Sequence, residues 1–348
     1  MIANAFRKIA PAIFTESTQP PSTSKKILLY AGHNHPPQPE YVMNFDQSIN
    51  QMAGAFSAIF TPYDQNGSIH FEMLTSIANF QLARGLRGFF VTGSTGESLL
   101  LSYEERLAVI RHLIEHFGDR ATIIAHVGHP STDFSVRLAK ASADAGADWI
   151  SSVAPIYYGT TFAGAMRHYS AISNATLLPF MVYSLGGVIE PHRDVAFFEL
   201  PNVCGLKYTG ANFFSVQQLM RNVNRKVACM SGFDEQFVAG QSFGFDGGIG
   251  STYNFAPQYY AGIYNHYQAG NIAEAARLQA EINQVTQLMI QYENWTYRKA
   301  IMRYIGLDCG SFRPPFGPIN EREYEEFAEQ LDQLNILKRD EANSVPET

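Results

Sequence analysis

From Gly54 onward, short apolar runs alternate with helical patterns, and this alternation limits what the chain can fold into more than any other feature. The strand-like runs cover 55–60, 88–91, 122–127, 149–153, 180–183, 203–206, 227–230 and 248–250. Helical patterns fill most of the gaps, including 103–117, 132–145 and 213–223. Eight strands alternating with helices predict an α/β protein, a (β/α)8 TIM barrel; a doubly wound open sheet is the other topology the pattern allows. Several helix ends are written locally. Ser102 stands three residues before Glu105, the spacing of a capping box, Gly118 closes the same helix, and Ser131 is placed to cap the next.

After Pro257 the pattern is mostly helical, at 261–268, 272–291, 295–304 and 321–334, which is more helix than a barrel needs. The expected organisation is an N-terminal extension at 1–50, a barrel at 51–256 and a C-terminal helical extension at 257–348. The first fifty residues carry Pro20, Pro21, Pro36, Pro37 and Pro39, a Ser/Thr-rich patch at 22–24 and little periodicity, so a poorly ordered arm is expected there. Arg7 and Lys8 among apolar neighbours, with no acid before Glu16, faintly resemble an organelle presequence but lack its several arginines.

Composition excludes several classes. Hydrophobic residues are 46% of the 348 and charged residues 16%, a globular balance. A net charge of -7 without a dense Lys/Arg cluster argues against nucleic acid as a partner. No apolar run approaches the ~20 residues of a membrane span. Three cysteines, Cys204, Cys229 and Cys309, form no CxxC pair, so neither a disulfide framework nor a cysteine-based zinc site is expected, and a cytoplasmic setting fits.

In a barrel, chemistry gathers where strands end. Strand two ends in Gly93-Ser94-Thr95-Gly96-Glu97, strand four runs into Pro155-Ile156-Tyr157-Tyr158, and strand five ends at Tyr183. Strand six delivers Lys207, then Tyr208 and Thr209. Strand seven leads into Gly232-Phe233-Asp234-Glu235, and strand eight into Ser251-Thr252-Tyr253-Asn254. Lys207 alone is a strand-end lysine that could simply snorkel into water. Hydroxyls, carboxylates and phenols on the other strand ends give it company that a nucleophilic amine needs, because burial lowers an amine's pKa and a neutral amine can form a Schiff base with a ketone. The glycine-flanked Ser94-Thr95 turn, followed by a helix start, suits an anion, phosphate or carboxylate. A phenol such as Tyr183 beside the lysine can move protons.

Two histidine motifs suggest metal instead. His112-Leu-Ile-Glu115-His116 matches H-x-x-E-H, but it lies mid-helix on the outside of a barrel. His126 and His129 end strand three without a third ligand nearby in sequence.

The motifs Gly93-Ser-Thr-Gly-Glu97, Ala154-Pro-Ile-Tyr-Tyr158, Val182-Tyr183, Gly205-Leu-Lys-Tyr-Thr209, Gly232-Phe-Asp-Glu235 and Gly247-Gly-Ile-Gly-Ser-Thr-Tyr-Asn254, in this order, resemble the N-acetylneuraminate lyase / dihydrodipicolinate synthase family of class I, Schiff-base aldolases. The resemblance spans about residues 54–334, and within the family the sialic acid lyase branch is the nearer match. The synthase branch carries an arginine just after the strand-five tyrosine; here none follows until Arg193. The resemblance implies that Lys207 forms the imine, that Ser94 and Thr95 hold the substrate carboxylate, and that Tyr183 relays a proton with support from Tyr157. It implies that Thr209, Gly232, Asp234, Glu235 and Ser251 bind the hydroxyl-rich remainder. The implied reaction cleaves N-acetylneuraminate to pyruvate and N-acetylmannosamine with no cofactor or metal, in a homotetramer. The segment after Tyr183, Ser-Leu-Gly-Gly-Val-Ile, is about three residues shorter than in the lyase branch and lacks its proline, so a related 2-keto-3-deoxy sugar acid is an alternative substrate, a synthase-like reaction another, and a non-catalytic binding barrel a remote third.

Overall fold

The computed structural model describes residues 45–292 and 295–344. Residues 1–44, most of the expected N-terminal extension, lie outside the described residues. The described chain opens on a helix that the sequence pattern did not signal, α1 (Asp46–Gln51). It is followed by β1 (Gly54–Ala58), α2 (Phe71–Ala83), β2 (Gly88–Val91), α3 (Tyr103–Phe117), β3 (Thr122–His126), α4 (Thr132–Ala145), β4 (Trp149–Val153) and α5 (Phe162–Ser173). Next come β5 (Phe180–Leu185), the short α6 (Pro191–Asp194), β6 (Val203–Thr209), α7 (Phe213–Asn222), β7 (Ala228–Ser231), α8 (Phe237–Ser242) and β8 (Gly247–Gly250). Among the described residues four more α-helices follow: α9 (Pro257–Gln268), α10 (Ile272–Gln291), α11 (Thr296–Tyr304) and α12 (Glu321–Leu334).

The eight strands are all parallel and close in sequence order, β8 pairing with β1, so the fold is the (β/α)8 barrel and the open sheet is ruled out. Caps fall where the sequence placed them. Glu105 N donates to Ser102 Oγ while Ser102 N donates to Glu105 Oε2, completing the capping box of α3. Phe134 N donates to Ser131 Oγ at the start of α4.

Two apolar layers follow from the alternation of side chains along each strand. One fills the space between strands and helices. The other fills the barrel, where Phe56, Phe90, Trp149, Met181, Met230 and Ile249 interdigitate, joined on the side of the strand starts by Ile49 of α1 and by Met52. Burying each such large side chain stabilises the fold by roughly 1.5–3 kcal/mol. The indole of Trp149 fits because Gly205 is bare: a Cβ there would stand 3.0 Å from Trp149 Cζ3. This packed interior forms the floor of the site. Of the C-terminal helices, α9 packs on β1 and on α10, and α12 packs on α10 and α11. No helix among the described residues is long and apolar enough to cross a membrane.

Candidate active site

Lys207 is placed by β-sheet register. Strand β6 continues past the apolar run to Thr209, so Lys207 sits within the strand, directly paired with Tyr183 of β5 on one side and Met230 of β7 on the other. The sequence had put the strand end at Leu206; the extra residues are held by pairing with Tyr183, Ser184 and Leu185, and they explain why Lys207 is buried instead of solvated. Its Nζ lies 4.2 Å from the centroid of the Phe90 ring and 4.5 Å from that of Tyr183. Among the described residues no hydrogen bond or ion pair reaches it. Burial pushes the amine down from 10.5 to about 7, and the carboxylate of Asp234 pulls the other way.

The Tyr183 ring packs edge-on against Phe90, with centroids 5.9 Å apart. Burial raises the phenol's pKa, opposed by the hydroxyls of Thr209 and Ser94. Tyr183 of β5 and Thr209 of β6 therefore meet Ser94 of the turn after β2. The Thr209 hydroxyl makes no hydrogen bond of good geometry, which leaves it open to a ligand. Tyr157 does not join this cluster. It is 80% exposed, edge-on to the equally exposed Tyr158, whereas the hydroxyls that act on the Tyr183 phenol are those of Ser94 and Thr209. The expected support of Tyr183 by Tyr157 is thus not formed within the chain.

The Ser94–Thr95 turn differs in detail from expectation. No α-helix starts behind it; the chain makes only a 3-10 turn, Ser98–Leu100. Nor do its glycines supply left-handed backbone. The positive φ angles belong to Thr92 (52°) and Glu97 (61°), each costing about 1–3 kcal/mol in a non-glycine residue. Gly93 matters for space, since a Cβ would stand 2.5 Å from the Phe90 ring that faces Lys207. Ser94 is exposed at the rim and Thr95 is buried beneath it.

On the other side of Lys207, Asp234 is buried and ties the end of β7 to the end of β8. Its Oδ2 accepts from Thr252 N and Thr252 Oγ1, both at 2.8 Å, and from Ser251 Oγ at 3.3 Å. The Ser251 hydroxyl and one Asp234 oxygen are engaged with each other, and Asp234 Oδ1 remains without a partner. Burial raises the Asp234 carboxyl above its usual range, and Lys207 is among the groups opposing that. Glycines again make room. A Cβ on Gly232 would stand 2.0 Å from Thr209 Oγ1, and one on Gly250 2.1 Å from Asp234 Oδ1. Glu235 follows at the rim, its carboxyl raised by burial and by Asp234.

The metal readings find no support in the geometry. His126 donates or accepts at both nitrogens, Nδ1 with Thr92 O (3.1 Å) and Nε2 with Val153 N (3.4 Å), and burial pushes its pKa well down. His112 stacks on His116 and pairs with Thr75 Oγ1. Among the described residues no three His, Cys, Asp or Glu side chains converge. A small cleft opens beside Ser94, lined by His126, His129, Val153 and Leu185. A wider groove of about 430 Å³ between α10 and α12 is lined by Asn283, Gln284, Gln287 and Gln291 and holds no titratable group, so it is not a place for this chemistry.

The profile of the dihydrodipicolinate synthetase family matches residues 51–334. The chain belongs to this family. N-acetylneuraminate lyase of Citrobacter koseri is 35% identical over 289 residues, covering 80% of this chain and 97% of that one. The lyase of Salmonella paratyphi B is 36% identical over 277 residues, covering 78% and 93%. Among solved structures, N-acetylneuraminate lyase from Mycoplasma synoviae superposes with a TM-score of 0.76 at 30% identity, over 84% of this chain and all of that one (100%). A dihydrodipicolinate synthase from Bacillus anthracis gives 0.76 at 27% identity, over 85% and 99%. Backbone similarity therefore does not separate lyase from synthase within the family.

Three residues around this family member's site were not singled out from sequence. Phe90, on the inward face of β2, lines the lysine; strand alternation could have found it. Arg298 of α11 stacks on Trp295 at 4.1 Å, and its Nε is buried without a partner. Asp234 and Glu235 supply the negative charge facing Arg298, and burial lowers it to about 10. Lys299, next in sequence, pairs with Glu97. Two adjacent basic residues on one helix, one of them bound to be on or near its apolar face, were the available signal for both.

Proposed function

We propose that this chain is a pyruvate-releasing class I aldolase acting on N-acetylneuraminate, with Lys207 as the Schiff-base nucleophile. The observation that carries this reading is the Lys207 amine, buried against the Phe90 and Tyr183 rings and pushed down to about 7, so that a large share is neutral at neutral pH. The neutral amine adds to the C2 ketone to give a carbinolamine, which loses water to form the protonated imine. The C4 hydroxyl gives up its proton, the C3–C4 bond breaks, and its electron pair moves into the iminium as an enamine. N-acetylmannosamine leaves as the aldehyde. Protonation of the enamine at C3 and hydrolysis of the imine then release pyruvate and restore the amine. The iminium is itself the electron sink, so these steps need no cofactor. Tyr183, kept protonated by burial and in reach of the Ser94 and Thr209 hydroxyls, is suited to relay the C4 proton, its phenol passing its own proton to the substrate carboxylate as it accepts the one from the C4 hydroxyl. Ser94 and Thr95 take the carboxylate; Thr209, Asp234 Oδ1 and Glu235 take polyol hydroxyls, with Gly232 and Ser251 supporting them.

A related 2-keto-3-deoxy sugar acid is the second reading, favoured by the segment after Tyr183, where β5 runs straight to Leu185 and turns at Gly186 (φ 64°). A synthase-like reaction is disfavoured by Arg193, whose guanidinium is already engaged by Asp194 Oδ1 (2.8 Å) and Glu190 Oε1 (2.6 Å). Self-association, as a homotetramer in keeping with the resemblance, would cover apolar side chains left exposed near the rim, Leu99, Ile156, Tyr157, Tyr158 and Val188. Three free, buried cysteines agree with a cytoplasmic setting. Incubation with N-acetylneuraminate, with pyruvate and N-acetylmannosamine quantified together, tests the substrate. Equimolar products support the lyase reading, whereas turnover confined to other 2-keto-3-deoxy acids assigns the chain to the second reading. Absence of turnover across the panel contradicts catalysis.

A further inference from the structure

The turn that carries Ser94 and Thr95 is strained at both ends and pinned at both ends. Thr92 and Glu97, neither a glycine and one of them β-branched, hold positive φ. Such conformations persist only where surrounding groups over-determine them. The upstream pin is local: Thr92 Oγ1 donates to His126 O at 3.2 Å, and the Thr92 carbonyl pairs with His126 Nδ1. The downstream pin comes from Lys299 of α11, 202 residues along the chain, and from Arg313 in the segment that follows α11. Glu97 Oε1 accepts from Lys299 Nζ at 2.9 Å, and Glu97 Oε2 accepts from Arg313 N at 2.9 Å.

Lys299 has no donor to spare. Its ammonium also donates to Thr61 O (2.8 Å) and Ser311 O (3.3 Å), which with Glu97 uses all three protons. The rings of Tyr63 and Phe312 flank it at 4.3 and 4.6 Å. Thr61 closes the circuit, donating from Oγ1 to Gly96 O at 2.8 Å. A single buried cation therefore joins the loop after β1, the loop after β2 and the segment after α11, and two of its contacts bear directly on the turn that holds Ser94 and Thr95.

We propose that Lys299 is a positioning residue: through Glu97 and Thr61 it holds the Ser94–Thr95 turn in the conformation that receives the substrate's carboxylate. The C-terminal helices thereby take part in substrate recognition without touching substrate. This rests on the aldolase reading of Lys207 and on Ser94–Thr95 as the carboxylate cradle. An ion pair that served stability alone would, once removed cleanly, leave substrate affinity unchanged.

The test compares Lys299→Met, the double variant Glu97→Gln/Lys299→Met, and Thr61→Val. Lys299→Met leaves a buried carboxylate without its cation and lowers the melting temperature most; the double variant removes both charges and regains stability. The expected result is that the double variant, though restabilised, keeps a KM for the sugar acid, and for pyruvate in the synthetic direction, about tenfold or more above wild type, with kcat changed far less. Thr61→Val moves KM the same way by a smaller factor. The pH midpoint of imine formation stays at the wild-type value in all three. A double variant with wild-type KM overturns the proposal, and so does a Thr61→Val variant with unchanged KM. Failure of wild-type protein to trap pyruvate on Lys207 would count against the aldolase reading itself, an outcome separable from these.

Discussion

The Nζ of Lys207 lies 4.2 Å from the centre of the Phe90 ring and 4.5 Å from that of Tyr183, the two rings packed edge-on against each other, with no hydrogen-bonding partner among the described residues. Two aromatic faces can attract an ammonium, but they cannot replace its hydration shell, and the net result is an amine pushed down to about 7. Because the neutral amine is the nucleophile, we expect the rate of imine formation to rise between about pH 6 and pH 8 and to level off above. Initial rates of borohydride-trappable adduct against pH measure this. A midpoint near the ordinary lysine value would contradict it.

The same burial costs stability. In the unfolded chain Lys207 titrates near 10.5, in the folded chain near 7. Below pH 7 both states carry the proton and the fold bears the whole cost of the buried charge; as pH rises toward 10.5 that cost disappears. Lys207→Met is therefore expected to be inactive yet more heat-stable than wild type, with the gain largest at pH 6 to 7 and shrinking at higher pH. Paired melting curves across that range check both the sign and the trend.

Tyr183→Phe keeps the ring that flanks the amine and removes only the phenolic oxygen. Imine trapping with pyruvate should survive, while carbon–carbon cleavage of the sugar acid falls by about 10²-fold or more. Single-turnover pyruvate release measured beside trapping separates the two steps. Equal losses in both would assign Tyr183 a packing role instead.

Asp234 holds Thr252 and Ser251 with one oxygen and raises the Lys207 pKa through its charge. Asp234→Asn keeps one acceptor but removes the charge. Its stability loss should be modest, about 1 kcal/mol. The imine-formation midpoint should move below its wild-type position, and KM for a polyol-bearing substrate should rise more than KM for pyruvate. A midpoint that stays in place would separate Asp234 from Lys207 electrostatically.

Much of the barrel was legible because its signals are local. Strand β2 runs from Gly88 to Val91 and helix α3 from Tyr103 to Phe117, as periodicity and the Ser102–Glu105 capping box indicated. Strands β5 and β6 ran longer than their apolar runs, because backbone pairing continues through Lys207, Tyr208 and Thr209 after hydrophobic alternation stops. Helix α1 escaped notice because it is six residues long and mostly polar. Sequence could place Lys207, Tyr183 and Ser94 at strand ends, yet not show that Asp234 and Ser251 bond to each other or that Tyr157 faces solvent. Those facts depend on side-chain direction, which neither spacing nor residue type sets. The Glu97–Lys299 pair was invisible for a simpler reason: no sequence pattern links groups 202 positions apart.

The most direct measurement is reduction with borohydride in the presence of pyruvate, followed by peptide mapping of the modified residue. We expect one stoichiometric adduct on Lys207, abolished by Lys207→Met and formed with the pH dependence of an amine titrating near 7. An unmodified Lys207, or an adduct on another lysine that persists in Lys207→Met, would contradict the assignment of this residue as the nucleophile.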